Sequence, residues 1–131
     1  MIFVDTSALL AMLSSADLNH SRAMQCWRSL LEENQTFITS NYVLVEGIVL
    51  IQKRLGLSKV HDFQEKIMPL LAIEWMDEKQ HSVAMQRMLS ADRRQLSLVD
   101  CSSFDVIERM KIEKAFTFDS HFREQGFDVI P

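Results

Sequence analysis

Met1-Ile2-Phe3-Val4-Asp5-Thr6-Ser7-Ala8-Leu9-Leu10-Ala11-Met12-Leu13 opens the chain and decides how the rest is read. The first four residues make an apolar run of strand length, and Asp5 ends it. Thr6 to Leu13 reads as a helix. A carboxylate therefore stands where a buried strand hands over to a helix N-terminus. In an open α/β sheet that carboxyl edge is where ligands bind.

The same alternation continues outward. Asp17 to Asn34 reads as a second helix, with Ala23, Trp27, Leu30 and Leu31 on one apolar stripe. Thr36 to Thr39 is a short β-type run, and Ser40-Asn41 supplies N-cap chemistry for a third helix to about Leu55, closed by Gly56. Ser58 opens a fourth helix to about Ile67, stopped by Pro69, and Leu70 to Trp75 is a third strand. Asp77 caps a helix whose His81, Ala84, Met85 and Met88 share a face, and Ser97 to Met110 is another helix. Lys114 to Phe118 is a fourth strand, Asp119 starts a last short helix ended by Gly126, and Phe127 to Ile130 is a fifth strand. Short strands separated by helices call for a parallel sheet covered on both faces. The expected fold is a three-layer α/β/α sandwich around about five mostly parallel strands, in one domain spanning residues 1–131.

Composition narrows the class. A chain of 131 residues with 47% hydrophobic and 24% charged residues suits one globular core. No apolar run reaches the ~18 residues of a membrane span, and no basic segment precedes the N-terminal apolar run, so a cytoplasmic location is expected. Cys26 and Cys101 lack metal-type spacing and read as reduced thiols. The net charge of −4 shows no basic surplus of the kind nucleic-acid binders carry. If four of the 18 acids were neutralised by metal, however, the remainder would equal the 14 bases.

Four acids stand out. Asp5, Asp100 and Asp119 each have a plain reading as helix caps, Asp100 through the Ser97-x-x-Asp100 capping-box pattern. Caps that follow strands of a parallel sheet, though, lie together on its carboxyl edge. Glu46 resists the plain reading: it is the only charge between Asn41 and Ile51, and Tyr42, Val43, Val49 and Leu50 are its helical neighbours. Burying an unpaired carboxylate costs several kcal/mol, so such groups are paired, protonated or metal-bound. Four crowded carboxylates raise one another's pKa values, and a hard divalent cation relieves that. All-oxygen ligation favours Mg²⁺ or Mn²⁺ over zinc. The scattered His20, His61, His81 and His121 form no close ligand pair, and His121 is expected to face solvent. Asp105 is expected to face away from Asp100 as solvated surface.

Val-Asp-Thr-Ser-Ala at 4–8, Tyr-Val-Leu-Val-Glu at 42–46, Leu-Ser-Leu-Val-Asp-Cys-Ser-Ser-Phe at 96–104 and Ala-Phe-Thr-Phe-Asp-Ser-His-Phe at 115–122 resemble a PIN domain. The likeness is greatest to the stand-alone VapC-type ribonuclease toxins of toxin–antitoxin pairs, and it runs in order along the whole chain. It implies that Asp5, Glu46, Asp100 and Asp119 are the catalytic, metal-holding quartet, with Thr6 and Thr117 supporting them. It also implies an RNA substrate, a homodimer and an antitoxin partner.

A divalent cation on such a site polarises phosphoryl oxygens and lowers the pKa of a bound water. The reaction expected is in-line attack by water on an RNA phosphate, without a covalent enzyme intermediate. Arg87, Arg93, Arg94 and Arg109, with Lys111 and Lys114, are the candidate phosphate contacts. A receiver domain would show two adjacent early acids and a lysine after the last strand, and a haloacid-type phosphatase would show Asp-x-Asp where this chain has Asp5-Thr6-Ser7. The remaining rival is a catalytically silent PIN-like module that binds RNA or protein.

Overall fold

The computed structural model describes residues 1–131. Five strands, β1 (Ile2–Val4), β2 (Phe37–Ser40), β3 (Leu71–Glu74), β4 (Lys114–Phe116) and β5 (Asp128–Ile130), form one sheet in the order β3-β2-β1-β4-β5. Every ladder is parallel. Seven helices connect them: α1 (Thr6–Leu13), α2 (His20–Glu32), α3 (Asn41–Leu55), α4 (Leu57–Asp62), α5 (Glu78–Ala91), α6 (Leu98–Met110) and α7 (Ser120–Glu124). The predicted three-layer parallel fold is the one observed.

The topology follows from handedness. Crossovers between parallel strands are right-handed, so a chain that steps β1→β2→β3 in one direction lays its helices on one face. The return from β3 to β4 puts α5, α6 and then α7 on the other. The packing agrees: α1 contacts α2 and α3, whereas α5 packs along α6. Strand order therefore reverses between β1 and β4, and the crevice beyond their carboxyl ends is the topological switch point.

Because both faces are covered, the central strands are apolar throughout. Phe3, Val4 and Phe116 have no exposed surface. On one side Trp27 packs against Phe37 with ring centroids 4.3 Å apart. On the other, Phe104 meets Phe122 edge-on at 5.0 Å.

Some expected boundaries move for local reasons. α2 starts at His20 because Asp17 makes a turn first, its Oδ1 accepting from Asn19 N at 2.7 Å. Leu31 falls off the buried stripe of Ala23, Trp27 and Leu30 and is exposed. α4 is short and runs on as a π turn (Phe63–Ile67) and a 3₁₀ turn (Met68–Leu70). β4 stops at Phe116, two residues early, and that early stop shapes the site.

Candidate active site

Asp5 leaves the end of β1 and caps α1. It is buried, and its Oδ2 takes three donors: Ser7 N at 3.2 Å, Ser7 Oγ at 2.7 Å and Thr117 Oγ1 at 2.9 Å. With both hydroxyl protons aimed at Asp5, the 3.1 Å Ser7–Thr117 contact is a close approach without a proton of its own. Ser7 Oγ accepts from Phe118 N at 2.9 Å, and Thr117 Oγ1 accepts from Asp119 N at 3.0 Å. Those two bonds pull the chain out of β4 and tie its exit to Asp5. Oδ1 of Asp5 accepts no hydrogen bond and is not sealed from solvent, which leaves it free to bind something else.

The other three acids come from neighbouring elements. Asp119 caps α7, its Oδ1 accepting from His121 N at 2.9 Å. Asp100 closes a capping box with Ser97 at the start of α6. Glu46 lies half-buried in the second turn of α3. Capping and site membership thus coexist: three helix N-termini, each the positive end of a dipole, converge on the same negative charge.

Electrostatics link the acids through Asp5 and Asp119. Burial is the largest cause raising the Asp5 carboxyl, and Asp119 raises it further against the hydrogen bonds from Ser7 and Thr117. Burial likewise leads for Glu46, with Asp5 and Asp119 adding repulsion. Asp100 is pushed up to about 6, first by burial and then by Asp119 and Asp5, against its bonds to Ser97. Carboxylates that raise one another in a partly desolvated pocket want a cation.

Two orphaned polar atoms belong to the same pocket. Thr6 Oγ1 is buried without a hydrogen-bond partner, although it lies close enough to favour the charged form of Glu46. His121 Nδ1 is also buried and unbonded, 2.9 Å from Asp119 Oδ1 and 3.7 Å from Asp100 Oδ2 but misaligned for a hydrogen bond. His121 is therefore not the solvent-facing residue expected. Asp100, Asp119 and His121 can each offer a ligand atom, all within 4.8 Å of one another. Those donors, with the free Asp5 oxygen near Asp119, fit a divalent cation.

Other expectations need amending. The apolar neighbours of Glu46 do not all enclose it: Val45 and Val49 are exposed, while Val43, Leu44, Gly47 and Ile51 face the core. Asp105 is no free surface acid; it is mostly buried and 3.7 Å from Arg109. Among the arginines, Arg87 is held by both oxygens of Glu108, at 2.9 and 3.0 Å. Arg93 pairs with Glu124 at 3.1 Å and Arg109 with Glu74 at 3.3 Å. Arg94 is exposed in the loop before α6. Ser7 is the site residue that carried no sign in the sequence, and His121 the one whose nearness to Asp119 was visible but which was expected on the surface; each lies two residues after a capping acid.

Fold and pocket define a class: a parallel α/β domain that gathers carboxylates over its switch point to hold a divalent cation. Residues 2–128 match the PIN domain, and the chain belongs to that family. It is 31% identical over 128 residues to the 23S rRNA-specific endonuclease VapC20 of Mycobacterium tuberculosis, covering 97% of this chain and 95% of that one. The crystal structure of VapC20, described as a sarcin-ricin loop cleaving toxin, superposes over the full length of both chains with a TM-score of 0.87 and 30% identity. FitAcB from Neisseria gonorrhoeae shares the fold at a TM-score of 0.72 and 19% identity, over 100% of this chain and 97% of that one.

Proposed function

We propose that this protein is a divalent-metal-dependent endoribonuclease that hydrolyses RNA phosphodiester bonds, and that it is the toxin of a toxin–antitoxin pair. The observation that carries the reading is geometric: Asp100, Asp119 and His121 present ligand atoms within 4.8 Å of one another, and Asp5 and Asp119 lie near enough to raise the carboxyls of Glu46 and Asp100, so acids from four separate elements share one region. Similarity to a 23S rRNA-specific endonuclease makes RNA the polymer to be cut, and a looped ribosomal segment the first substrate to try.

Mg²⁺ or Mn²⁺ is the cofactor the oxygen-rich donor set favours, and such an ion polarises the phosphoryl group and acidifies a water. Asp5, whose Oδ2 is fixed by Ser7 and Thr117 while Oδ1 is free, would help hold such an ion. Asp100 and Asp119 are held by their own caps, so each carboxylate is oriented before anything binds. Glu46 serves as a ligand or as the base that orients the attacking water. Thr6 supports Glu46, as Thr117 supports Asp5.

A homodimer and a cognate antitoxin complete the assembly. The exposed Val45 and Val49 on α3, beside Glu46, are apolar surface for a protein partner to cover. Free Cys26 and Cys101 suit a cytoplasmic location. No helix is long and apolar enough to cross a membrane.

Pure protein incubated with labelled RNA tests the reading. Cleavage in Mg²⁺ or Mn²⁺ that EDTA abolishes is the expected result. Binding of RNA with no cutting in either metal would instead identify a silent PIN-like module.

A further inference from the structure

Three of the arginines that the sequence put forward, Arg87, Arg93 and Arg109, are occupied by acids, whereas two others line a groove that includes Asp119. A groove of about 230 Å³ is lined by Thr117 and Asp119 of the acid site together with Arg22 and Arg123. A second, of about 400 Å³, shares Arg22 and Pro131 with it and includes Lys114. Arg22 comes from α2 and Arg123 from α7, so the fold brings them together from opposite ends of the chain. Both are exposed, and neither is ion-paired, whereas Arg87, Arg93 and Arg109 are neutralised by Glu108, Glu124 and Glu74. The Arg22 guanidinium lies 5.7 Å from the centre of the Phe118 ring, which positions it without consuming its charge. Asp119 is the one acid lining the first groove, and Glu33 the one acid lining the second.

The acid pocket creates the need for such a track. RNA carries a phosphate at every nucleotide, so those flanking the scissile one approach four carboxylates. One divalent cation offsets that charge at the reacting phosphate and not along the strand. Unpaired guanidiniums beside the pocket supply the rest, and they bind phosphate bidentately.

We propose that Arg22 and Arg123, extended by Lys114, form the track that seats the RNA backbone on one side of the scissile phosphate. The proposal rests on the ribonuclease reading above. It assigns these side chains to substrate binding and not to the chemical step.

The test uses full-length protein and a labelled mixed-sequence single-stranded RNA. Binding is measured in the Asp5→Asn background in Mg²⁺, across a range of KCl, with Arg22→Ala, Arg123→Ala, both together, and Arg54→Ala, an exposed arginine that lines neither groove, as the control. Wild-type protein is assayed for cleavage alongside. Each groove substitution is expected to weaken binding and to reduce the slope of log K against log[salt] by about 0.7, with Arg54→Ala unchanged. In otherwise wild-type protein, the double substitution is expected to raise KM and leave kcat near its original value. If wild-type protein cuts RNA and the double variant keeps affinity, slope and KM, the groove assignment is wrong and the nuclease reading stands. If no RNA is cut yet slopes fall as described, the track stands and the nuclease reading fails. If RNA is neither bound nor cut, both are overturned.

Discussion

At the scale of single residues, the asymmetry of Asp5 organises the site. One oxygen is saturated by three donors while the other is free. Asp5→Asn keeps the shape and removes the charge, so the protein is expected to melt no earlier while metal-dependent RNA cleavage falls by ~100-fold or more. Full cleavage by that variant would remove Asp5 from the mechanism. Thr117→Val deletes one donor and keeps the volume. It is expected to weaken Mn²⁺ binding by roughly 10- to 100-fold, read by calorimetry, because a ligand loses the partner that orients it. Such detail was only half legible beforehand. Thr117 stood out because it alternates with two phenylalanines, whereas Ser7 looked like one more cap-forming residue. Its role comes from Phe118 N, 111 positions away.

At the scale of elements, helices are punctuated by residues whose backbone needs are visible in the sequence. Gly56 separates α3 from α4 at φ +91° and ψ 173°, a conformation essentially reserved for glycine. Nothing lies within 4 Å of where a Cβ would be, so any penalty is backbone strain alone. Gly56→Ala is expected to destabilise by about 1–3 kcal/mol in urea titrations, with cleavage by the folded fraction unchanged. Capping illustrates how element and function overlap. The Ser97–Asp100 box was readable as a helix start, and it is one. The same box leaves Asp100 beside Asp119 and His121, so capping and a place in the acid cluster are compatible.

At the scale of the molecule, the acid cluster makes stability depend on pH and metal together. Asp100 titrates near 3.8 when unperturbed and about 6 in the fold. A raised carboxyl stabilises the fold when protonated: its contribution is full below the unfolded pKa and is lost as pH rises through the folded one. Asp5 and Glu46 are raised in the same direction. Metal-free protein is therefore expected to melt at a higher temperature at pH 5 than at pH 7. Adding Mn²⁺ should raise the melting temperature at pH 7, and by less at pH 5, where protons compete for the same oxygens. Scanning calorimetry of the four conditions checks both signs. A melting temperature that falls on acidification from pH 7 to 5 would contradict the shared pocket.

Strand and helix periodicity, caps and short connections were enough for the sequence to determine a parallel α/β sheet. They also set Asp5 and Asp119 beyond the carboxyl ends of β1 and β4, because these signals are local; Asp100, whose helix follows α5 and no strand, is brought beside Asp119 only by tertiary packing. Only the tertiary structure decided which charges are free. Arg87, Arg93 and Arg109 are matched by acids 21, 31 and 35 positions away, while Arg22 and Arg123 remain unpaired beside Asp119. Charge pairing depends on distances between elements far apart in the chain, and no local pattern encodes it.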